Sequence, residues 1–335
     1  MKTLITGGAG YIGSTIASAL IDKGHTPVLL DSLVVGPREF TKNRIFYEGD
    51  ISNGKIIRKI FSDHRNIHCV IHCAALIVVP ESVEHPYKYY KENVYKSLEL
   101  FKNLLDMNCH RLIFSSSASI YDATENFKVT ETSPLAANCP YARTKIMMEN
   151  ILEDFCDAYP LQGLSLRYFN PIGADPAFRS GPYKVNPSHL LGGLVEVASG
   201  RRPVMEINGI DWPTRDGSAI RDFIHVWDLA EAHVLALEKF DNLFTKEEPY
   251  CVINLGTQSG VTVKEFVKAF ENVWGKELPK KETGPRPGDV IGAFANAEKA
   301  EKLLGWKIKK SLESGIADAL TWDKEKIKFF SSNPS

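Results

Sequence analysis

The first two-thirds of the chain alternates short apolar, β-branched runs with longer stretches whose apolar positions recur every three to four residues. The runs predict strands at 2–6, 27–31, 68–72, 111–116, 163–168 and 251–255, and the longer stretches predict helices at 11–23, 54–65, 88–107 and 141–158. Such alternation implies a parallel sheet covered by helices on both faces, because each crossover must travel back over the sheet to start the next strand. Two runs, HCVIHCAA at 68–75 and RLIFSSS at 111–117, finish in small or polar residues. In an open parallel sheet those carboxyl ends border the ligand crevice, so chemistry is expected there.

After Asn170 the texture shifts. Residues 171–221 are rich in Gly and Pro around a helix predicted near 188–199, and 279–289 (PKKETGPRPGD) is a second such loop. The stretch 222–255, helix then strand, rejoins the sheet. Two interleaved units are expected: 1–170 plus 222–256, and a smaller lobe from 171–221 plus 257–330.

Composition narrows the class. Of 335 residues 44% are hydrophobic and 24% charged, enough for a large core. A formal net charge of −1 offers no basic field to nucleic acid or anionic lipid. No run approaches the roughly 18 apolar residues of a membrane span, and the first residues enter a strand directly, so a cytoplasmic protein is expected. Six scattered cysteines without a CxxC pair read as reduced thiols. His68, Cys69, His72 and Cys73 resemble metal ligands, but positions four apart on a strand are about 13 Å distant. One ion cannot bridge that gap, and no metal site is expected.

The strand at 2–6 runs into Gly7-Gly8-Ala9-Gly10-Tyr11-Ile12-Gly13, and a helix follows. Gly7 permits the tight turn, Gly10 lets the backbone approach a pyrophosphate, and Gly13 allows close helix–strand packing, with the helix N-terminus facing the negative charge. A glycine triplet alone is an ordinary turn. Here a strand precedes it, a helix follows, and Asp31 ends the next strand, where a carboxylate accepts from ribose hydroxyls and repels a 2′-phosphate. No Arg occupies 32–36, so the expected cofactor is NAD, not NADP. The fold class is therefore α/β: a doubly wound, parallel-sheet Rossmann domain with a smaller, interleaved α+β substrate lobe.

Tyr141-Ala142-Arg143-Thr144-Lys145 places a phenol and an ammonium one helical turn apart on one face. A neighbouring cation favours the phenolate, bringing a group of ordinary pKa about 10 toward use as a general base. By itself the pair is equally a surface Tyr/Lys couple. Ser115-Ser116-Ser117, ending the 111–116 strand, adds a hydroxyl at the sheet edge where a substrate hydroxyl needs orienting.

At these residues the chain resembles the extended short-chain dehydrogenase/reductases, and within them the UDP-glucose 4-epimerase family. The likeness runs through GGAGYIG (7–13), GDI (49–51), ESV…P…YY…NV (81–94), SSSASIY (115–121), PYARTK (140–145) and LRYFNPIGA (166–174). It continues in GRRP (200–203), RDFIHVWDLA (221–230), INLG (253–256), PRPGD (285–289) and LGW (304–306). The resemblance implies NAD-dependent 4-epimerisation of a UDP-hexose through a transient 4-keto sugar. It implies Ser117, Tyr141 and Lys145 as catalytic residues.

For the cofactor it implies Gly7, Gly10, Tyr11, Ile12, Gly13, Asp31, Ser32 and Gly36, with Asp50 and Ile51 beside the adenine. Cys73, Ala74, Ala75, Asn93, Ser115 and Phe169 would border the nicotinamide half. For the nucleotide sugar it implies Asn170, His189, Leu190, Arg221, Arg286, Asp289 and Ala293, besides Ser117 and Tyr141. Helices near 88–107 and 141–158 resemble a four-helix dimer interface, so a homodimer is expected.

Three positions depart from the family pattern. Ile77 stands where many members carry a Lys near the cofactor, predicting a weaker hold on NAD. Asp122 replaces a common Gly and is expected to add charge near the sugar. Ala293 replaces a bulky Tyr, leaving volume for an N-acetyl group. Dehydratase and decarboxylase relatives need a carboxylate beside the catalytic hydroxyl, whereas Ser117-Ala118-Ser119 has none, and NAD-sensing relatives lose the Tyr/Lys pair. Arg221-Asp222 has the bland reading of a solvated ion pair and Asn170-Pro171 that of a turn. His225, His233, Trp212, Trp227 and Trp306 are read as packing residues.

Overall fold

A computed structural model describes residues 1–122, 124–285 and 290–331. Seven strands form one all-parallel sheet, ordered Tyr250–Leu255, Gln162–Tyr168, Arg111–Ser115, Ile67–His72, Lys2–Thr6, Thr26–Asp31, Ile45–Glu48. The order doubles back at the first strand, so Lys2–Thr6 has Ile67–His72 on one side and Thr26–Asp31 on the other. A crevice opens at that switch point.

The apolar runs look continuous because both sheet faces are covered. Leu4 and Ile5, adjacent in sequence and both 0% exposed, point into different cores. Ile5 packs with Ile16, Leu20, Leu229, Leu255 and Trp306, and Leu4 with Val28, Ile57, Leu100, Met148 and Leu152. Ala297, Ala300, Leu304 and Trp306 join the first of these cores although they lie within 257–330. A third core gathers Leu194, Ile207, Phe223, Phe266, Phe270 and Ile316 around helices Leu190–Ala198, Val263–Trp274 and Leu312–Ser331.

The six predicted strands and the helices at 11–22, 54–63, 140–158 and 190–198 are present. The edge strand Ile45–Glu48 was not predicted: four residues with no fully buried position carry no periodic signal. The helix expected over 88–107 is interrupted. Pro86–Tyr89 is α-helical, Tyr90–Tyr95 is a π-helical turn, and Lys96–Asp106 resumes the α-helix. Within the wide turn Asn93 is buried; its amide donates to Leu76 O (2.9 Å) and its carbonyl accepts from Leu76 N (2.8 Å). Clasping the loop behind the Ile67–His72 strand is what the interruption accomplishes.

Candidate functional site

A cleft of about 970 Å³ runs along the carboxyl ends of the strands. At one end lie Gly7, Gly10, Tyr11, Ile12, Gly13, Asp31, Ser32, Gly36, Asp50 and Ile51. Gly7 has φ 70°, and a Cβ there would come within 2.7 Å of Ala74 N. A Cβ at Gly13 would strike the Gly7 carbonyl, whereas one at Gly10 would meet only that carbonyl at 3.2 Å. The backbone at Gly10 is thus open toward the groove, and no side chain caps the helix Tyr11–Asp22 that begins there. Its first-turn amides are left for an anion.

Asp31 accepts from Ala9 N (3.0 Å) and Leu33 N (2.8 Å), which hold the carboxylate at the groove edge. Burial raises its pKa and these amides oppose the rise. Asp50 is paired with Lys96 (2.6 Å), whose hydrogen bond, with those from Ser52, outweighs burial and keeps its carboxyl below the usual range. These features fit a dinucleotide: a glycine cradle that a side chain would fill, a donor-rich helix end and a ribose acceptor.

Ser117, Tyr141 and Lys145 meet on the middle wall, with Cys73, Ala74, Ala75 and Phe169. Tyr141 and Lys145 lie in helix Pro140–Ala158, whose first turn is set by Pro140 and by Cys139 Sγ accepting from Ala142 N (3.4 Å). The Lys145 ammonium donates to Ser115 O (2.7 Å) and lies 4.8 Å from the Phe114 ring centroid. Burial lowers its pKa to about 8, against the opposing pull of Cys73 and Glu149.

The phenol expected to sit low is instead pushed up to about 12 by burial, although the hydrogen bond with Ser117 works in the other direction. Lys145 stands 6.0 Å from the Tyr141 ring centroid and donates one N–H to Ser115 O, and burial outweighs what lowers the phenol. The Cys73 thiol is raised to about 11 by burial and accepts from Ser115 Oγ (3.2 Å), which makes it an inert wall. Asn93 and Ser115, expected at the cofactor, stand one layer behind: Asn93 clasps Leu76 and Ser115 braces Lys145 and Cys73.

The far end is lined by Asn170, His189, Leu190, Arg221 and Ala293. His189 caps helix Leu190–Ala198 by accepting from Gly192 N (3.1 Å), and its ring faces the cleft. Desolvation in the cleft wall, and secondarily Lys184, lowers its pKa. Arg221 donates to the carbonyls of Ile220 (2.7 Å), Val290 (3.0 Å) and Ile291 (3.2 Å), tying itself to the loop opposite. Asn170 donates to Asp222 O (3.0 Å). Arg286 and Asp289 lie outside the described residues. Ile77 lines the cleft at 55% exposure, whereas Asp122 is exposed outside its lining.

The reading of Arg221-Asp222 as a solvated ion pair is corrected. Asp222 is 0% exposed, and its carboxylate accepts from Thr257 N (2.9 Å), Thr257 Oγ1 (2.7 Å) and Ala295 N (3.0 Å). It thereby pins two loops that shape the far wall. His225 caps helix Val226–Glu238 and contacts Asp318 (3.0 Å), His233 is buried, and Trp306 donates to Asp228 O (2.9 Å), all packing roles.

Sequence reasoning missed a buried network directly beneath Ser117, Tyr141 and Lys145. Glu149, one turn beyond Lys145, forms an ion pair with Arg167 (2.6 Å) and accepts from Ser116 Oγ. Arg167 also reaches Tyr121 Oη (3.0 Å), which donates to Asn254 (2.6 Å). The one available signal was an Arg inside the otherwise apolar run at 163–168.

The family model described as the NAD dependent epimerase/dehydratase family matches residues 3–264. The UDP-glucose 4-epimerase of Bacillus subtilis (strain 168) is 40% identical, with 99% of each chain covered. The crystal structure of UDP-glucose-4-epimerase from Stenotrophomonas maltophila, with bound NAD and formylated UDP-arabinopyranose, matches with TM-score 0.92 at 35% identity, covering 98% of this chain and 99% of that one. UDP-glucose 4-epimerase from Bifidobacterium longum, in complex with NAD+ and UDP, matches with TM-score 0.91 at 35% identity, covering 98% and 100%.

Proposed function

The chain belongs to the NAD dependent epimerase/dehydratase family, and from that premise we propose that it interconverts UDP-glucose and UDP-galactose through a transient 4-keto sugar. One observation carries this reading. Ser117, Tyr141 and Lys145 share the wall between a dinucleotide cradle and a second, sugar-sized end of one continuous cleft.

When bound, NAD supplies reversible hydride acceptance at the sugar C4 and a positive charge that favours the phenolate of a buried tyrosine. Tyr141 takes the O4 proton and later returns it, Ser117 orients that oxygen, and Lys145 holds the Tyr141 wall through its anchor on Ser115. Arg221, with Arg286 and Asp289, is assigned to the diphosphate and uridine, with His189, Leu190 and Asn170 lining the sugar nucleotide's path. Ala293 leaves room for the N-acetylhexosamine forms.

We assign 1–170 plus 222–256 to the cofactor lobe and 171–221 plus 257–330 to the nucleotide-sugar lobe, with helix Glu298–Leu304 returning to the cofactor side. A cytoplasmic homodimer is the proposed assembly. Supporting it, exposed Tyr87, Tyr95 and Met147 mark the segments 86–106 and 140–158, and no helix among the described residues is long and apolar enough to cross a membrane. Light scattering on the purified protein checks the dimer.

The decisive test incubates the enzyme with a panel of UDP- and dTDP-sugars and reads products by NMR. The expected product from UDP-galactose is UDP-glucose. A 4-keto-6-deoxy product would make it a dehydratase, and no turnover of any sugar would overturn the enzymatic reading.

A further inference from the structure

Helix Leu312–Ser331 belongs to the third core through Ile316 and Ala319, but its far end packs elsewhere. Trp322, Phe329 and Phe330 gather around Phe40, which sits in the short turn Arg38–Thr41 beyond the loop that starts at Asp31. Ring centroids lie 6.0, 5.7 and 5.9 Å from Phe40, and Phe40 and Trp322 are each 1% exposed. A fourth ring, Tyr183, meets Phe40 edge-on at 5.7 Å. Trp322 Nε1 donates to Pro182 O (2.8 Å) and so fixes the residue next to Tyr183.

Tyr183 also lines the cleft, as do Asp31, Ser32, Val34, Val35 and Gly36. Burial, and secondarily the Asp31 carboxylate, raise its phenol to about 12, and both residues line the same cleft. The segment between Asp31 and Phe40 is anchored where Gly36 packs on the Ala9 backbone and where Arg38 pairs with Glu48, but its middle is exposed. Val34 is 80% exposed, and Leu33 has φ 57°, a conformation that costs a branched side chain. That segment is held at one end by the Asp31 hydrogen bonds and at the other by burial of Phe40 among rings from a distant part of the chain.

We infer that Tyr183 and the rings of Phe40, Trp322, Phe329 and Phe330 form a clamp over the adenosine-ribose end of the groove, so that the C-terminal helix controls how fast NAD leaves. The inference rests on the cofactor assignment above. For the groove to open at this end, Phe40 must leave four aromatic neighbours or carry the helix end with it. An enzyme whose cofactor is regenerated in every cycle has no need to release it, and a slow exit is compatible with turnover.

The test follows release of NADH from the loaded full-length protein, by loss of its fluorescence when excess NAD⁺ is added. Phe40→Ala risks the fold, so the variants are the chain-end pair Phe329→Ala with Phe330→Ala, and separately Tyr183→Ala. Both are expected to release NADH at least tenfold faster than wild type, with UDP affinity by calorimetry changed less than twofold. Release within twofold of wild type in both variants overturns the clamp, as does an equal weakening of UDP binding, which would mean general loosening. A wild-type chain that binds no NADH overturns the cofactor assignment itself; one that binds it while the variants release it unchanged overturns the clamp alone.

Discussion

At the proposed cofactor end of the cleft the shape is made by backbone: Gly7 and Gly13 leave room where side chains would collide, Gly10 leaves the backbone open to the groove, and a helix end offers amides. At the sugar end it is made by side chains that hold loops. Asp222 pins the 257 and 295 loops, Arg221 ties itself to 290–291, and His189 caps a helix while facing the cleft. The cradle leaves no room for a side chain at Gly7 or Gly13, although the glycine loop itself is a local pattern. A wall of pinned loops can be altered one side chain at a time, and is where specificity is adjusted.

Tyr141, on the wall between the two ends, gives the largest expected effect. Tyr141→Phe should lower turnover of UDP-galactose by about 10²–10⁴ while leaving NADH binding in place, because a general base is lost and the packing ring is kept. Steady-state kinetics beside an NADH titration checks this. Residual turnover above a few per cent of wild type would remove Tyr141 from the mechanism.

Asp222 probes the sugar end through pH. Burial raises its carboxyl to about 6, ahead of the opposing bonds from Thr257 and Ala295. Since the folded pKa lies above the unfolded one, the stability this group contributes is full below about pH 4 and is lost as pH rises through about 6. Wild type should therefore gain about 2 kcal/mol on Asp222→Asn as the pH falls from 7 to 4, most of the shift at 1.36 kcal/mol per pKa unit. Urea denaturation at the two pH values measures the difference, and a constant gap would mean the carboxyl is not perturbed.

Gly13→Ala tests the backbone end. The added methyl meets the Gly7 carbonyl, and about 1–3 kcal/mol of strain should weaken NADH binding about 10- to 100-fold with UDP affinity unchanged. Ala293→Tyr is the smallest change. It should cut turnover of UDP-N-acetylglucosamine about tenfold relative to UDP-glucose, the scale at which an apolar pocket discriminates bulk. An unchanged ratio from competition kinetics would show that the N-acetyl group does not approach residue 293.

Legibility followed the same division. The strands, the glycine loop, Asp31 and the Tyr141/Lys145 spacing were readable, since each is a short-range pattern tied to one element. The edge strand Ile45–Glu48 and the π-turn at Tyr90–Tyr95 were not: the first buries too little to show a period, and the second is a local widening within one helical pattern. The burial of Asp222 was not legible because an Arg-Asp dipeptide looks the same in solvent as in a loop junction. Glu149 and Arg167 were passed over because their pairing joins a helix to a strand that sequence does not show to be neighbours.

The sequence by itself determined that a parallel sheet would form, that its first turn would be shaped for a dinucleotide, and which phenol and ammonium share a helix face. Those properties depend on residues within a few turns of each other. Only the tertiary structure decided the direction in which burial moves the phenol's pKa, the burial of Asp222 and the docking of Phe40 onto the C-terminal helix. Each of these depends on what surrounds a group in space: desolvation and packing are set by neighbours far away along the chain, as Trp322 is from Phe40.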